Sequence, residues 1–226
     1  MPSSYPVTML AICGSTRAGG NTDQALQYCA ELARSRGVHF SILNLRDYRI
    51  GTSGLHGDCN SSEGPCEYKD DMPYIIERMI AADGLIYAVP VHGFGMSQLM
   101  QNFIERAGVC YLRFDRPLTN KVASAIITGR RYNHNQVYSQ LISNFLLNRM
   151  IITGSGFPAF LHGGKPSDVF KDLEGMDSVR RTVHRMIDMI QMMKHYTVLT
   201  NQPFLRNDEP NERMIQEELM RYVEIV

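Results

Sequence analysis

Val7-Thr-Met-Leu-Ala-Ile-Cys-Gly-Ser-Thr-Arg-Ala-Gly-Gly-Asn-Thr22 joins a nearly continuous apolar run to a polar, glycine-rich loop. The run, residues 7–13, reads as a strand buried on both faces, the look of a parallel sheet covered by helices. The loop, residues 14–22, holds three glycines, three hydroxyls and one guanidinium. From Asn21 the pattern changes. Ala25, Leu26, Cys29, Ala30 and Ala33 recur at helical spacing, with Asn21 or Thr22 available as the cap and Gly37 as the stop. A buried strand therefore leads through a short loop into a helix.

The same alternation continues along the chain. Strands are predicted at residues 38–45, 84–90, 121–128 and 150–153, and helices at 70–82, 97–107, 135–148 and 178–195. Pro90 is expected to end the third strand, and Gly108 to stop the helix before it. Strands and helices in this order imply right-handed crossovers and a parallel sheet with helices on both faces. Five strands favour an α/β fold with a flavodoxin-like, doubly wound, five-stranded parallel sheet. With 226 residues and 44% hydrophobic content, residues 1–226 are read as a single domain. Residues 46–69 are an inserted loop and 200–226 a C-terminal extension, and residues 154–177 are expected to be irregular.

Twenty-three basic residues balance twenty-three acidic ones, so no net field draws the chain to nucleic acid or anionic lipid. No run reaches the roughly 18 apolar residues of a membrane span, and residues 7–13 are too short and too early for a signal segment. These readings predict a cytoplasmic protein with neither nucleic-acid nor membrane partners. Of the five cysteines, Cys13, Cys29 and Cys110 lie in apolar patterns and are expected to behave as small hydrophobes in a reducing compartment.

In an open parallel sheet, ligands bind beyond the carboxyl ends of the strands, where the strand order reverses. The first such loop offers Ser15, Thr16, Arg17, Gly20, Asn21 and Thr22. Helix-start N–H groups, hydroxyls and a guanidinium together suit a phosphate dianion. A Gly-Lys-Ser/Thr sequence is missing, which argues against a triphosphate with Mg²⁺. The plain alternative is a polar turn without a ligand. In the second loop, Pro90, Val91, His92, Gly93, Phe94 and Gly95 combine flat or apolar surfaces with glycines that let backbone approach a planar ring. His92 alone would read as a surface turn histidine. The third loop contributes Thr128, Gly129 and Arg130.

Gly14-Ser-Thr-Arg-x-x-Gly-Asn-Thr22, Pro90-Val-His92 and Ser97-x-Leu-Met-x-x-Phe-Ile-Glu-Arg106 together resemble the NADPH-dependent FMN reductases, near their multimeric-flavodoxin and iron–sulfur flavoprotein branch. The likeness spans roughly residues 7–155. It implies FMN as cofactor and NAD(P)H as co-substrate, with Ser15, Arg17, Asn21 and Thr22 on the phosphate. Residues 90–95 and 128–130 would line the isoalloxazine. His92 stands where the family often has tyrosine, and Met100 where it usually has lysine. The implied activity passes electrons from a nicotinamide through FMN to a small-molecule acceptor: a quinone, a flavin, a ferric chelate or a biosynthetic intermediate. Two alternatives are an electron carrier serving a protein partner and a module that binds partners without flavin. Carriers of this fold are by resemblance small and acidic, whereas this chain is neutral with long loops.

The iron–sulfur branch places four cysteines ahead of an Asp-Asp-Met, where this chain reads Ser53-x2-His56-x2-Cys59-x6-Cys66 and then Asp70-Asp71-Met72. Two of the four thiolates are missing, so no cubane cluster is expected. A three-ligand metal site from His56, Cys59 and Cys66 is the weaker alternative. Gly154-Ser-Gly-Phe-Pro-Ala159 matches a dinucleotide pattern without opening a helix and is read as a lining loop, while Gly163-Gly-Lys-Pro166 fails as a P-loop and is set aside. The helix at 178–195 carries Val179, Val183, Met186, Ile187 and Ile190 as a core stripe, broadened by Met189, Met192 and Met193. With the amphipathic tail at 214–226, it predicts a homodimer or homotetramer whose pocket is completed by a neighbouring chain.

Overall fold

The structure, a computed structural model, describes residues 6–53, 66, 68–113 and 115–207. In chain order the strands are β1 (Thr8–Cys13), β2 (His39–Asn44), β3 (Gly84–His92), β4 (Gly95–Met96), β5 (Val122–Gly129), β6 (Ile151–Ile152) and β7 (Ala159–His162). The helices are α1 (Asn21–Ser35), α2 (Met72–Ala81), α3 (Gln98–Ala107), α4 (His134–Leu147) and α5 (Leu173–Thr200). The sheet runs β2-β1-β3-β5-β6, with β7 also paired to β5 and β4 to β3, and every pairing except β3–β4 is parallel. This is an α/β, doubly wound, flavodoxin-like fold. Its order reverses at β1 and β3, which fixes where a ligand crevice opens.

The apolar run of β1 is buried because alternate residues serve opposite cores. Leu10 and Ile12 join Met79, Phe103 and Phe145 on the α2, α3 and α4 side. Met9, Ala11 and Cys13 join Leu26, Val183 and Ile187 on the α1 and α5 side. At the centre of the first core, Tyr87 meets Phe145 and Phe103 edge-on, with ring centroids 4.9 and 5.8 Å apart. Such pairs contribute about 0.5–1.5 kcal/mol each beyond area burial.

Four boundaries differ from the expectation. Pro90 does not end β3: residue 88 turns its polar groups toward β1, as the Gly14 N–H to Ala88 carbonyl bond of 2.8 Å records. Residue 90 therefore points the same way, past the end of β1, where a missing N–H leaves no acceptor unpaired. The strand runs on to His92 and turns back through Gly93 and Phe94, both at positive φ (54° and 65°), into β4. Two such residues make the tight hairpin turn whose twist matches its strands.

Gly108 does not stop the chain's helical course, since its φ of −61° is right-handed and a π-helical turn continues over Gly108–Leu112. The fifth strand position is split. β6 pairs with Val122 and Ala123, and β7, inside the stretch expected to be irregular, pairs with residues 126–129. Finally, α5 starts five residues early, because the Asp172 carboxylate caps it by accepting from the Gly175 N–H at 3.0 Å. A Cβ at residue 175 would fall 2.3 Å from the Phe160 carbonyl of β7, so only glycine lets helix and strand meet there. On α5, Met189 and Met193 pack partly on their own chain's core, while Met192 is half exposed. The tail at 214–226 lies outside the described residues, as do His56 and Cys59.

Candidate functional site

Beyond the carboxyl ends of β1, β3, β5 and β7 a cleft is lined by Ser15, Arg17, Gly20, Asn21, Thr22, Pro90, Val91, His92, Thr128, Gly129, Arg130 and residues 163–166. The fold thus brings together eleven of the fifteen residues singled out in the three loops. The other four do not line it: Thr16 is exposed, Gly93 and Phe94 make the hairpin turn, and Gly95 begins β4.

At one end the N-terminus of α1 opens into the cleft with no side-chain cap. Gly20, not Asn21 or Thr22, occupies the cap position. Neither expected cap bonds back to its own helix. Thr22 instead makes a buried 2.7 Å hydroxyl–hydroxyl bond to Thr128 on β5, and the buried Asn21 Oδ1 has no partner among the described residues. The first-turn N–H groups are left for a ligand. Ser15 is buried, its Oγ accepting from the Arg17 N–H at 3.2 Å, and Arg17, Arg130 and Lys165 bring positive charge to the same walls.

The loop is held by two residues that the motif reading did not single out. Asp23 accepts from the Gly19 N–H at 2.8 Å and from Arg46 at 3.0 and 2.8 Å. Arg46 reaches on to the Ser15 carbonyl at 3.3 Å. This half-buried pair ties the loop after β1 to the chain after β2. Opposite stands Gly163-Gly-Lys-Pro166, dismissed as a failed P-loop. Its backbone is fixed by Asp168, which accepts from the Gly164 and Lys165 N–H groups at 3.1 and 2.8 Å. Hydrogen bonding from Lys171 and that backbone holds the Asp168 carboxyl at about 2. The available signal was a third glycine-rich run followed by a lysine, but its place after a strand was hidden because β7 was not recognised.

At the other end Pro90 and Val91 face Gly129. A Cβ on Gly129 would meet the His134 ring at 2.9 Å and Val91 at 3.3 Å, so the strand end fits only as glycine. His134 is buried beneath it, near the Leu161 carbonyl (3.3 Å) and the rings of Phe160 and His162 (5.5 and 4.6 Å). Burial keeps its pKa below that of an ordinary histidine. Two exposed aromatics lie close in the chain to lining residues: Phe94, two residues after His92, at 67%, and Tyr132, two residues after Arg130, at 62%. Met100, at the family's usual lysine position, is fully buried and packs under Gly14, away from the cleft walls. The loop expected at residues 154–159 to line the site does not. Phe157 and Pro158 border a separate hollow with His162 and Asp172.

Phosphate-binding features at one end and a flat, mostly apolar wall at the other, at the switch point of a flavodoxin-like sheet, define the class as a flavin-binding α/β protein. The NADPH-dependent FMN reductase family model matches residues 7–164, and the chain belongs to that family. It is accordingly an FMN-dependent oxidoreductase with NAD(P)H as co-substrate. An iron–sulfur flavoprotein of Methanocaldococcus jannaschii is 27% identical over 193 residues, covering 82% of this chain and 98% of that one. Among solved structures, RosB with a bound formylated riboflavin phosphate superposes with a TM-score of 0.68 at 16% identity, over 91% of this chain and 92% of that one. The flavoenzyme FerB of Paracoccus denitrificans does so at 0.58 and 16%, over 82% and 98%. No described helix is long and apolar enough to cross a membrane.

Proposed function

We propose that this chain transfers electrons from NAD(P)H to a small-molecule acceptor through FMN seated phosphate-first in the cleft after β1, β3, β5 and β7. The carrying observation is that the uncapped α1 N-terminus, with Arg17 and buried Ser15, shares one cleft with the wall made by Pro90, Val91 and Gly129. The donor set fits the group. N–H groups, hydroxyls and a guanidinium suit its phosphate, and the orphaned Asn21 Oδ1 suits a ribityl hydroxyl. When bound, FMN supplies the hydride and electron chemistry, for which no acid–base side chain is needed in the first half-reaction. Ser15, Arg17, Gly20, Asn21 and Thr22 hold the phosphate end. Pro90, Val91 and His92, with Thr128, Gly129 and Arg130, orient the ring.

Residues 1–226 act as one folding unit in this reading, and the working form is a homodimer or homotetramer. Phe94 and Tyr132, exposed large aromatics two residues after the cleft-lining His92 and Arg130, support an assembly in which a second copy covers the ring end. The acceptor class is a quinone, flavin, ferric chelate or biosynthetic intermediate.

The purified protein is expected to be yellow, without iron–sulfur absorption, and to be reduced rapidly by NAD(P)H in stopped flow. Slow reduction of a yellow protein would make it a carrier instead, and a colourless protein that takes up no FMN would overturn the proposal. Light scattering tests the assembly, and a monodisperse monomer with full NAD(P)H oxidation would remove it.

A further inference from the structure

Outside the cleft, one buried cation gathers chemistry that flavin reduction does not use. Arg106, on the last turn of α3, is 1% exposed. Its Nη2 bonds Asp70 at 3.0 Å, and its Nη1 reaches two sulfurs, Cys66 at 3.0 Å and Cys110 at 2.8 Å. The sulfurs share one nitrogen, so they lie less than two hydrogen-bond lengths apart, and Cys110 also hydrogen-bonds to Cys66. They come from unrelated places. Cys66 precedes α2, and Cys110 sits in the π-helical turn after α3, where the apolar-pattern reading had made it a plain hydrophobe. Both are only partly buried.

Two buried polar atoms at this cluster, the Arg106 Nε and the Tyr111 hydroxyl, have no hydrogen-bond partner among the described residues, and the guanidinium carbon lies 6.0 Å from the Tyr111 ring centroid. Buried donors left unpaired are costly, and they are expected where a further acceptor arrives. A half-open thiol beside a guanidinium meets the conditions for a reactive cysteine, since the thiolate is the nucleophile. Burial, the largest single influence, pushes the Cys66 thiol up, but the Arg106 hydrogen bond, the Tyr68 backbone and the guanidinium charge together leave the group below its ordinary value. Cys13 and Cys29 stand in contrast: burial drives both up to about 12 and leaves them inert.

We propose that Cys66 and Cys110 form a peroxide-responsive thiol pair, with Cys66 the attacking sulfur and Cys110 the resolving one. The Cys66 thiolate attacks a peroxide oxygen. The O–O bond breaks, an S–O bond forms, and the leaving oxygen departs as water (or alcohol, from an organic peroxide) once protonated. The resulting sulfenic oxygen is the acceptor that the Arg106 Nε and Tyr111 hydroxyl lack. The Cys110 sulfur then attacks the Cys66 sulfur, an S–S bond replaces the S–O bond, and a second water leaves. Two thiols and one hydrogen peroxide become one disulfide and two waters. Asp70 carries the consequence. It also accepts from the Gly51 and Met72 N–H groups at 2.9 and 3.1 Å, so a change at Arg106 is transmitted to the start of α2 and the loop after β2.

The test treats the flavin-loaded full-length protein with a small excess of hydrogen peroxide at neutral pH, alkylates remaining thiols, and maps the non-reduced protein by mass spectrometry. Cleavage after Glu63 separates Cys59 from Cys66. The expected result is a Cys66–Cys110 link with a mass loss of about 2 Da, reversed by dithiothreitol. Cys110→Ser should leave a dimedone-reactive sulfenic acid on Cys66, while Cys59→Ser should leave the link intact. Arg106→Lys should slow iodoacetamide alkylation of Cys66 about tenfold at neutral pH. Should that variant not fold, the near-isosteric Cys110→Ser result decides alone. A Cys59–Cys66 link, over-oxidation of Cys66 without a link, or no change under peroxide would each overturn the proposal.

Discussion

At the end of the cleft proposed for the phosphate, Ser15, Thr22 and Thr128 are buried, the Thr22 and Thr128 hydroxyls bond each other across α1 and β5, and Asp23, Arg46 and Asp168 strap the surrounding backbone. At the ring end the hairpin tip holds Phe94 at 67% exposure, and the Asn133 side-chain amide donates to the Phe94 carbonyl at 2.9 Å. One end is cross-strapped, and the other carries an exposed hairpin. In the proposed seating of FMN this division would serve a site that must keep its cofactor and still exchange co-substrate and acceptor, binding free energy coming from the fixed end and access from the open one.

The sharpest way to break the comparison is at Arg17. Arg17→Ala removes a charge-assisted contact and is expected to weaken FMN binding by about 1.5–3 kcal/mol. Calorimetric titration of the apoprotein reads this directly, and unchanged affinity would mean that the phosphate lies elsewhere. Next is Thr22→Val, which leaves the Thr128 hydroxyl buried without its partner. Denaturant unfolding should report a loss of about 1–3 kcal/mol. A neutral outcome would show that the hydroxyl pair does not lock the fixed end.

Phe94→Ala addresses the open rim. An exposed side chain of this kind changes stability by about 0.5 kcal/mol or less, so FMN affinity should hold while the acceptor KM rises. Equal losses in both would place the rim with the fixed end and erase the distinction.

The smallest effect is a pH slope from His134. Burial holds its folded pKa below the unfolded value of 6.5, so below that pH the unfolded chain binds more protons than the folded one. Stability is therefore full above about pH 6.5 and declines as pH falls toward the folded value. Comparing thermal melts of the native chain and His134→Phe across this window checks it. An identical slope in both would assign the pH dependence to other groups, His184 among them, whose pKa burial also lowers.

The strand-loop-helix course of residues 7–35 was legible because apolar continuity, helical spacing and glycine placement are local properties. So were the three loops, and the structure brings eleven of their fifteen candidate residues to one cleft. β7 was not legible. Four residues, Ala159–His162, after a Gly-Ser-Gly-Phe-Pro break carry too little pattern to separate a strand from a loop, and they become one only by pairing with β5. The omission of residues 163–166 followed from that. The four candidates that do not line the cleft were less legible: a type of loop was recognised, but which of its residues line a cleft depends on where the chain turns, as it does at Gly93 and Phe94.

Taken alone, the sequence determined the alternating frame of β1, β2, β3, β5 and β6 with the five helices, the polarity of the loop after β1, and the family, since each follows from local patterns and motifs. The tertiary structure alone decided that Asp23 meets Arg46, that Thr22 turns from capping its helix to bonding Thr128, and that Arg106 collects Cys66 and Cys110. The contacts of Asp23 with Arg46, Thr22 with Thr128 and Arg106 with Cys66 join residues 23 to 106 positions apart. Whether they form is governed by sheet register and helix packing, which no local periodicity encodes.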